Sequence, residues 1–262
     1  MTNIVFSELS LFAIDIAKQA GSLLRTGFGS HFQITAKAGK QNLVTEYDHA
    51  SEKMIVSAIS HHFPDHGLLA EEGTDKKANS SVTWIIDPLD GTVNFAHGIP
   101  VFSISIAAAM NGSIVSGVVY QPITQELFVA EKGKGAFLNE KPIAVSPIAD
   151  MASSLMATGF PYDVDKDPLQ CVEKFATMQL KGVPIRRLGS AALDMSYVAA
   201  GRFDAFWEVG LHPWDMAAGK LLVEEAGGKV SHWDGSTHKI FGYTTMLASN
   251  GHLHPAMIEH LK

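Results

Sequence analysis

The chain has 262 residues, 46% of them hydrophobic, and a formal net charge of −7. That length buries a large core in one or two domains, and the acidic balance excludes nucleic-acid binding as the main task, since phosphate neutralisation needs clustered Lys and Arg. The lone cysteine, Cys171, rules out an internal disulfide, and with neither a secretory leader at Met1–Glu8 nor an apolar run of bilayer length, a cytoplasmic protein without a membrane partner is expected.

Leu9, Phe12, Ile16, Ala20 and Leu23 recur at helical spacing, and Met54, Ile55, Ala58 and Ile59 mark a second amphipathic helix. A strand-rich region follows from Leu68 to Val145. Within it Leu68-Leu69-Ala70 runs into Glu71-Glu72-Gly73, and Trp84-Ile85-Ile86 runs into Asp87-Pro88-Leu89-Asp90-Gly91-Thr92. Pro88 biases Asp87 toward extended backbone, so its carboxylate is expected at a strand end; Asp90-Gly91 then turns the chain, and Gly91 and Thr92 offer N–H groups at the start of a short helix. Val101 to Met110 is a strand that Asn111-Gly112 folds back onto Ser113 to Tyr120. Gly133 and Gly135 read as turn punctuation and fail the dinucleotide fingerprint.

Beyond a boundary near Lys141 to Ala152 the elements alternate: helix from Leu169 to Leu180, strand from Val183 to Leu188, helix from Ala191 to Ala200, strand from Phe203 to Trp207. Asp215 is expected to open the helix Met216–Ala226, which ends at Gly227-Gly228. The layered α+β and α/β pattern divides into an N-terminal α+β half, 1–145, and a C-terminal α/β half, 146–262, with a site in the cleft between them.

Two adjacent strands ending at one edge bring Glu71, Asp87 and Asp90 together, where like charges repel unless a cation neutralises them. Oxygen-only ligands favour Mg²⁺ or Mn²⁺ over zinc. Plainer readings stand beside this one. Asp-Pro and Asp-Gly are good turn formers, Asp215 and Ser190 suit helix caps, Glu208 suits an exposed strand end, and Arg186 and Arg187 suit the surface. Asp163-Val164-Asp165-Lys166-Asp167 mimics the start of a calcium loop, but Pro168 and Lys174 stand where glycine and glutamate are needed. His252, His254 and His260 lack partners at zinc-like spacing and read as surface residues; His212 and a buried, inert Cys171 read as structural.

Taken together, Glu71-Glu72-Gly73, the run from Trp84 to Phe95, and Trp214-Asp215 followed by Glu225-Ala226-Gly227-Gly228 resemble the inositol monophosphatase family. Asn42-Leu43-Val44-Thr45-Glu46-Tyr47-Asp48, Gly133-Lys134-Gly135-Ala136-Phe137 and Gly189-Ser190-Ala191-Ala192 extend the likeness over nearly the whole chain. The resemblance implies a sandwich of alternating helices and sheets, as in fructose-1,6-bisphosphatase, a homodimer, and lithium-sensitive hydrolysis of small phosphate monoesters by metal-activated water. It implies that Glu71, Asp87 and the Leu89 carbonyl hold one Mg²⁺, that Asp87, Asp90 and Asp215 hold a second, and that a third, weaker ion sits near Glu71. Glu71 and Thr92, the latter bonded to Asp48, would orient and deprotonate the water, with Glu72 supporting and Lys37 on a closing loop. Asp90, Gly91, Thr92, Gly189, Ser190, Ala191, Glu208 and Asp215 would face the substrate. Inositol 1-phosphate is the expected substrate; fructose bisphosphate, 3′-phosphoadenosine 5′-phosphate and NADP are alternatives, and a non-catalytic metal-binding regulator is a distant one. Asn42 departs from the pattern, where an acid commonly precedes Leu-Val-Thr.

Overall fold

The computed structural model describes residues 5–36, 43–241 and 244–262. Lys37 and Asn42 lie outside the described residues. The chain begins with α1 (Glu8–Gly27), the paired strands β1 (Ile34–Ala36) and β2 (Leu43–Thr45), and α2 (Glu46–His62). Next come β3 (Gly67–Ala70), β4 (Asp75–Lys76), β5 (Val82–Asp90) and a short helix, α3 (Thr92–Ala96). The meander β6 (Ser103–Met110), β7 (Ser113–Gln121), β8 (Glu126–Glu131), β9 (Gly135–Leu138) and β10 (Lys141–Ile143) completes an eight-stranded sheet in the order β10-β9-β8-β7-β6-β5-β3-β4. The later part supplies β11 (Met156–Thr158), α4 (Cys171–Leu180), β12 (Ile185–Arg186), α5 (Ala191–Ala199) and β13 (Ala205–Leu211). It ends with α6 (Pro213–Glu225), β14 (Lys229–Ser231), β15 (Thr244–Ser249) and α7 (His254–Leu261), and its five-stranded sheet runs β12-β11-β13-β15-β14.

Strand alternation produces five layers. On β5 and β6, Trp84, Ile86, Ile104, Ile106 and Ala108 face the core shared with α1 and α2, whereas Ile85, Ala107 and Ala109 face the core shared with α5 and α6. That second core also takes Ala157, Phe206 and Met246 from the smaller sheet, whose opposite face packs Met156, Trp207 and Leu247 against α4 and α7. Both sheets are thus apolar on both faces, and each large side chain removed from water contributes about 1.5–3 kcal/mol. Two glycines let α6 seat closely. A Cβ at Gly117 of β7 would lie 2.9 Å from the Ala218 carbonyl oxygen, and one at Gly219 would lie 2.8 Å from Met195 of α5.

Helix starts follow local chemistry. Ser7 caps α1, Ser190 caps α5, and Thr45 with Asp48 forms a capping box on α2. The Asn111-Gly112 hairpin is present, with both residues at positive φ (50° and 77°) as a tight two-residue turn requires. Some expected elements differ. The Val183–Leu188 strand shrinks to Ile185–Arg186 because it is a sheet edge with exposed arginines and Pro184, which cannot donate to a ladder. The helix expected from Leu169 begins at Cys171, since Leu169 and Gln170 hold positive φ (55° and 57°). In α1 it is Leu24 that is fully buried, with Leu23 only half-buried. Among the described residues no helix is long and apolar enough to cross a membrane.

Candidate active site

β3 and β5 run parallel in register, Ala70 opposite Ile86, so Glu71 leaves β3 level with Asp87, and its N–H donates to the Ile86 carbonyl at 3.2 Å. Asp87 is not at a strand end as the sequence suggested: β5 continues to Asp90. Between Asp87 and Asp90 the register against β6 slips, Pro88 and Leu89 facing Ile104 alone, because a bulge accommodates Pro88. That bulge turns both carboxylates to one edge. The Leu89 N–H donates to Asp87 Oδ1 at 3.0 Å and Ser51 Oγ to the Pro88 carbonyl at 2.9 Å, fixing the loop from beneath.

Gly91 then takes φ 93° and starts α3 as expected. A Cβ there would lie 3.0 Å from the Val101 carbonyl and 3.1 Å from that of Gly189, so only glycine lets the two chain segments meet. Asn94 bridges the same junction, donating to the carbonyls of Val101 (2.7 Å) and Leu188 (2.8 Å). Across it, Asp90 Oδ2 accepts from Ser190 Oγ at 2.6 Å and from the Ala192 N–H at 2.8 Å, at the start of α5. Gly189, Ser190 and Ala191 are therefore brought beside Asp90 and Gly91 from a hundred residues away.

Thr92 Oγ lies 2.8 Å from Asp48 Oδ1 and 3.0 Å from the Leu89 carbonyl oxygen. One hydroxyl carries one proton, and the carboxylate is the stronger acceptor, which leaves the Leu89 carbonyl and a lone pair of Thr92 available. Asp48 Oδ2 is held by the Thr45 N–H at 2.7 Å and Thr45 Oγ at 2.6 Å, so the capping box of α2 also orients Thr92.

Asp215 arrives on α6. It does not open the helix: Pro213 is the first residue, and Asp215, in the first turn, accepts from the backbone N–H of the cap residue His212 at 2.6 Å. The ring of His212 stacks on Trp214, centroids 4.8 Å apart, and the Trp214 carbonyl accepts from Ser105 Oγ, the β6 residue facing Asp87. Glu208, on β13, presses its carboxyl group on Gly159, where a Cβ would come within 2.1 Å of it. Glu208 is partly shielded rather than exposed at a strand end, which corrects the plainer reading.

The electrostatics tie these acids into one group. Burial, then repulsion from Glu71, Asp90 and Asp215, raises the carboxyl of Asp87 well above the usual range. Burial raises Asp90 to about 6 against the donors Ser190 and Ala192, and raises Glu208 to about 8 with help from Asp90. Asp215 is raised well above its ordinary value by burial, then by Asp90, Glu71 and Glu208, against the His212 N–H. The Thr45 and Thr92 donors only partly offset the burial that raises Asp48. No three of the described acids already close into a ligand cage. The donor set, carboxylates and a carbonyl whose mutual repulsion a cation would relieve, nevertheless fits a hard divalent ion.

Three contributors were not anticipated. Glu52 of α2 accepts from the Glu72 N–H at 2.7 Å and from Thr74 Oγ at 2.7 Å, shaping the turn that carries Glu71; Glu72 itself approaches His49 at 3.9 Å. Asn94 is the second. Asp194, 1% exposed and with Oδ1 unpartnered among the described residues, is repelled by Glu208 and Asp90. Its signal was an acid inside the apolar run of α5. Arg187 stacks over Phe160 at 5.2 Å and lowers Glu208, while Arg186 is exposed. His254 is not a surface residue: it is buried, with ring nitrogens 2.8 Å from Ser249 Oγ and 2.9 Å from Ser231 Oγ. Cys171 is buried, and burial pushes its thiol up to about 11, in keeping with an inert role.

A layered α/β sandwich with acids clustered beside β3 and β5 is the architecture of a family of phosphoric monoester hydrolases. The profile of the "Inositol monophosphatase family" matches residues 6–262, and the chain belongs to that family. It is 41% identical over 257 residues to the inositol-1-monophosphatase of Caulobacter vibrioides, covering 95% of this chain and 99% of the relative. It is 39% identical to the Nus factor SuhB of Vibrio cholerae, covering 95% and 94%. The crystal structure of extragenic suppressor protein suhB from Bartonella henselae superposes with a TM-score of 0.92 at 39% identity, covering 98% and 99%.

Proposed function

We propose that the chain hydrolyses small phosphate monoesters with Mg²⁺, two or three ions per site or Mn²⁺ in their place, and that inositol 1-phosphate is its principal substrate. The observation that carries this reading is the convergence of Glu71, Asp87, Asp90 and Asp215, each raised in pKa or named among the repelling neighbours of the others. Asp87 is central, since Glu71, Asp90 and Asp215 all act on it. In this reading Glu71, Asp87 and the Leu89 carbonyl hold one ion, and Asp87, Asp90 and Asp215 the second. When bound, the ions lower the pKa of the attacking water and neutralise charge on the departing ester oxygen. The chain's own part is positioning. Thr92, its hydroxyl donating a hydrogen bond to Asp48, would accept one from the attacking water, and Glu71 would take the water's proton. The N–H groups of Gly91 and Thr92 bind phosphate oxygens, while Glu208, Ser190 and the backbone of Gly189 and Ala191 meet the polyol hydroxyls. Glu72 holds its neighbour Glu71 in place, and Lys37 closes over the site.

The cleft in this reading lies between a 1–145 half and a 146–262 half, and the protein is a cytoplasmic homodimer. Intact Glu71, Asp87, Asp90, Thr92 and Asp215 favour turnover over a purely regulatory role of the kind the Nus factor relatives' name suggests. The test is phosphate release from inositol 1-phosphate, fructose bisphosphate, 3′-phosphoadenosine 5′-phosphate and NADP, with and without Mg²⁺. Inositol 1-phosphate should be cleaved fastest, and only with the metal. Asp87→Asn should lower turnover by about a thousandfold or more, and full activity in that variant at limiting Mg²⁺ would refute the bridging role. Glu208→Ala should change the ranking of substrates; equal losses on every ester would instead mark Glu208 as structural.

A further inference from the structure

α6 also borders a cavity away from Asp215. Asp215 lies in its first turn, and Lys220, Leu221, Glu224 and Glu225, some 7–15 Å further along the axis at 1.5 Å per residue, help to enclose a cavity of about 500 Å³. The hairpin at Gly112, Ser113 and Ile114, the turn at Lys132 and the segment His238–Phe241 form its other walls. This is the size of a small-molecule site.

The charges around it do not cancel. Glu225 is engaged by the backbone N–H groups of Gly133 (2.8 Å) and Gly135 (2.9 Å), and Glu224 pairs with Lys220. Lys132 and Lys239 face the same space with no ion pair among the described residues, in a chain whose net charge is −7. His238 lines the cavity at 6% exposure, and neither ring nitrogen has a hydrogen-bond partner among the described residues. The ring is neutral, because burial and the neighbouring His232 and Lys220 lower it to about 3, so one nitrogen seeks an acceptor and the other a donor. A buried group of this kind is stabilised by a ligand that satisfies it. Beside Ser113 the remaining lining is apolar, from Ile114, Leu221 and Ile240, and Phe241, 56% exposed, adds an aromatic ring.

We propose that this cavity binds a small organic anion, its anionic head held by Lys132 and Lys239 and its flat apolar body lying on Phe241 and Ile240. Ammonium groups select the head, and the aromatic and aliphatic wall rejects a bare inorganic ion. The catalytic cleft has the opposite character: without metal its carboxylates repel anions, so metal-free protein separates the two sites.

Phenylphosphonate, whose C–P bond a phosphomonoesterase leaves intact, is the probe. Calorimetric titration of the metal-free full chain should give one saturable site with a Kd below about 1 mM. Methylphosphonate, the head alone, and phenol, the body alone, should each bind at least about tenfold more weakly. The double variant Lys132→Ala/Lys239→Ala, which alters only exposed side chains, should lose about tenfold or more, and Asp87→Asn should leave the Kd unchanged. No saturation by about 10 mM, undiminished binding in the lysine variant, equal binding of methylphosphonate, or dependence on Asp87 would each overturn the proposal.

Discussion

The chain buries acids in two contrasting ways. Glu131, at the end of β8, accepts from the Ser7 N–H at 2.8 Å and Ser10 Oγ at 2.7 Å and pairs with Lys134; these partners outweigh burial and hold its carboxyl below the usual range. Asp87 is more deeply shielded, has one backbone donor and three acidic neighbours, and its carboxyl is driven up. Glu131 is a finished structural contact that ties the start of α1 to the large sheet. Asp87 belongs to a group left incomplete by the protein itself, which is how a ligand site differs from a core contact.

Removing each acid should therefore have opposite consequences. Asp87→Asn, which should abolish nearly all activity, should leave the thermal midpoint of the metal-free protein equal to or above that of the wild type, because a repelling charge is gone. Mg²⁺ should raise the midpoint of the wild type and much less that of the variant, since only a competent site gains stability by mass action. A clear fall in the metal-free midpoint of Asp87→Asn would break the contrast. Glu131→Ala should do the reverse, costing about 1–3 kcal/mol in denaturant unfolding through the donors it strands, while turnover stays within a few-fold of wild type. A large loss of turnover at unchanged stability would assign Glu131 a part in the site.

The same contrast explains what was legible in the sequence. Glu71, Asp87 and Asp90 could be placed together because strands have a simple period and turn chemistry is local, so acids following two apolar runs fall at one edge. The layered alternation of helices and strands was legible for the same reason. Asp215 could be tied to that edge only through the family resemblance, because the contact depends on how closely α6 seats against Gly117, a packing relation with no local signature. Asp215 was also misplaced by its strong capping preference: proline at the first helical position moved the cap back to His212. Asp194, Glu52 and Asn94 escaped notice because each acts across long sequence separations on backbone or charge that a linear reading does not bring near. His254 was read as exposed because its two serine partners, Ser231 and Ser249, lie on different strands.

The smallest expected effect is the most direct test of the contrast, since it reads the protons themselves. Asp90 has a folded pKa of about 6 against an ordinary 3.8, so between these values the folded chain binds more protons than the unfolded one. Its contribution to stability is then fully present below about pH 3.8 and is lost as the pH rises through about 6; Asp87 and Asp215, also raised, act in the same direction. Glu131, lowered from 4.5, acts oppositely, stabilising above that pH and ceasing to do so as the pH falls through its folded value. In chelator, the stability advantage of Asp87→Asn over wild type should grow as the pH is raised from about 4 to about 7. The gap between Glu131→Ala and wild type should widen over the acidic end of the range and then stay constant. With Mg²⁺ present the first trend should reverse, because the cation binds the deprotonated carboxylates of the wild type more tightly as the pH rises. Parallel stability curves for wild type and Asp87→Asn in chelator would mean that the clustered acids do not repel one another, and the electrostatic argument for a metal at this edge would fail with them.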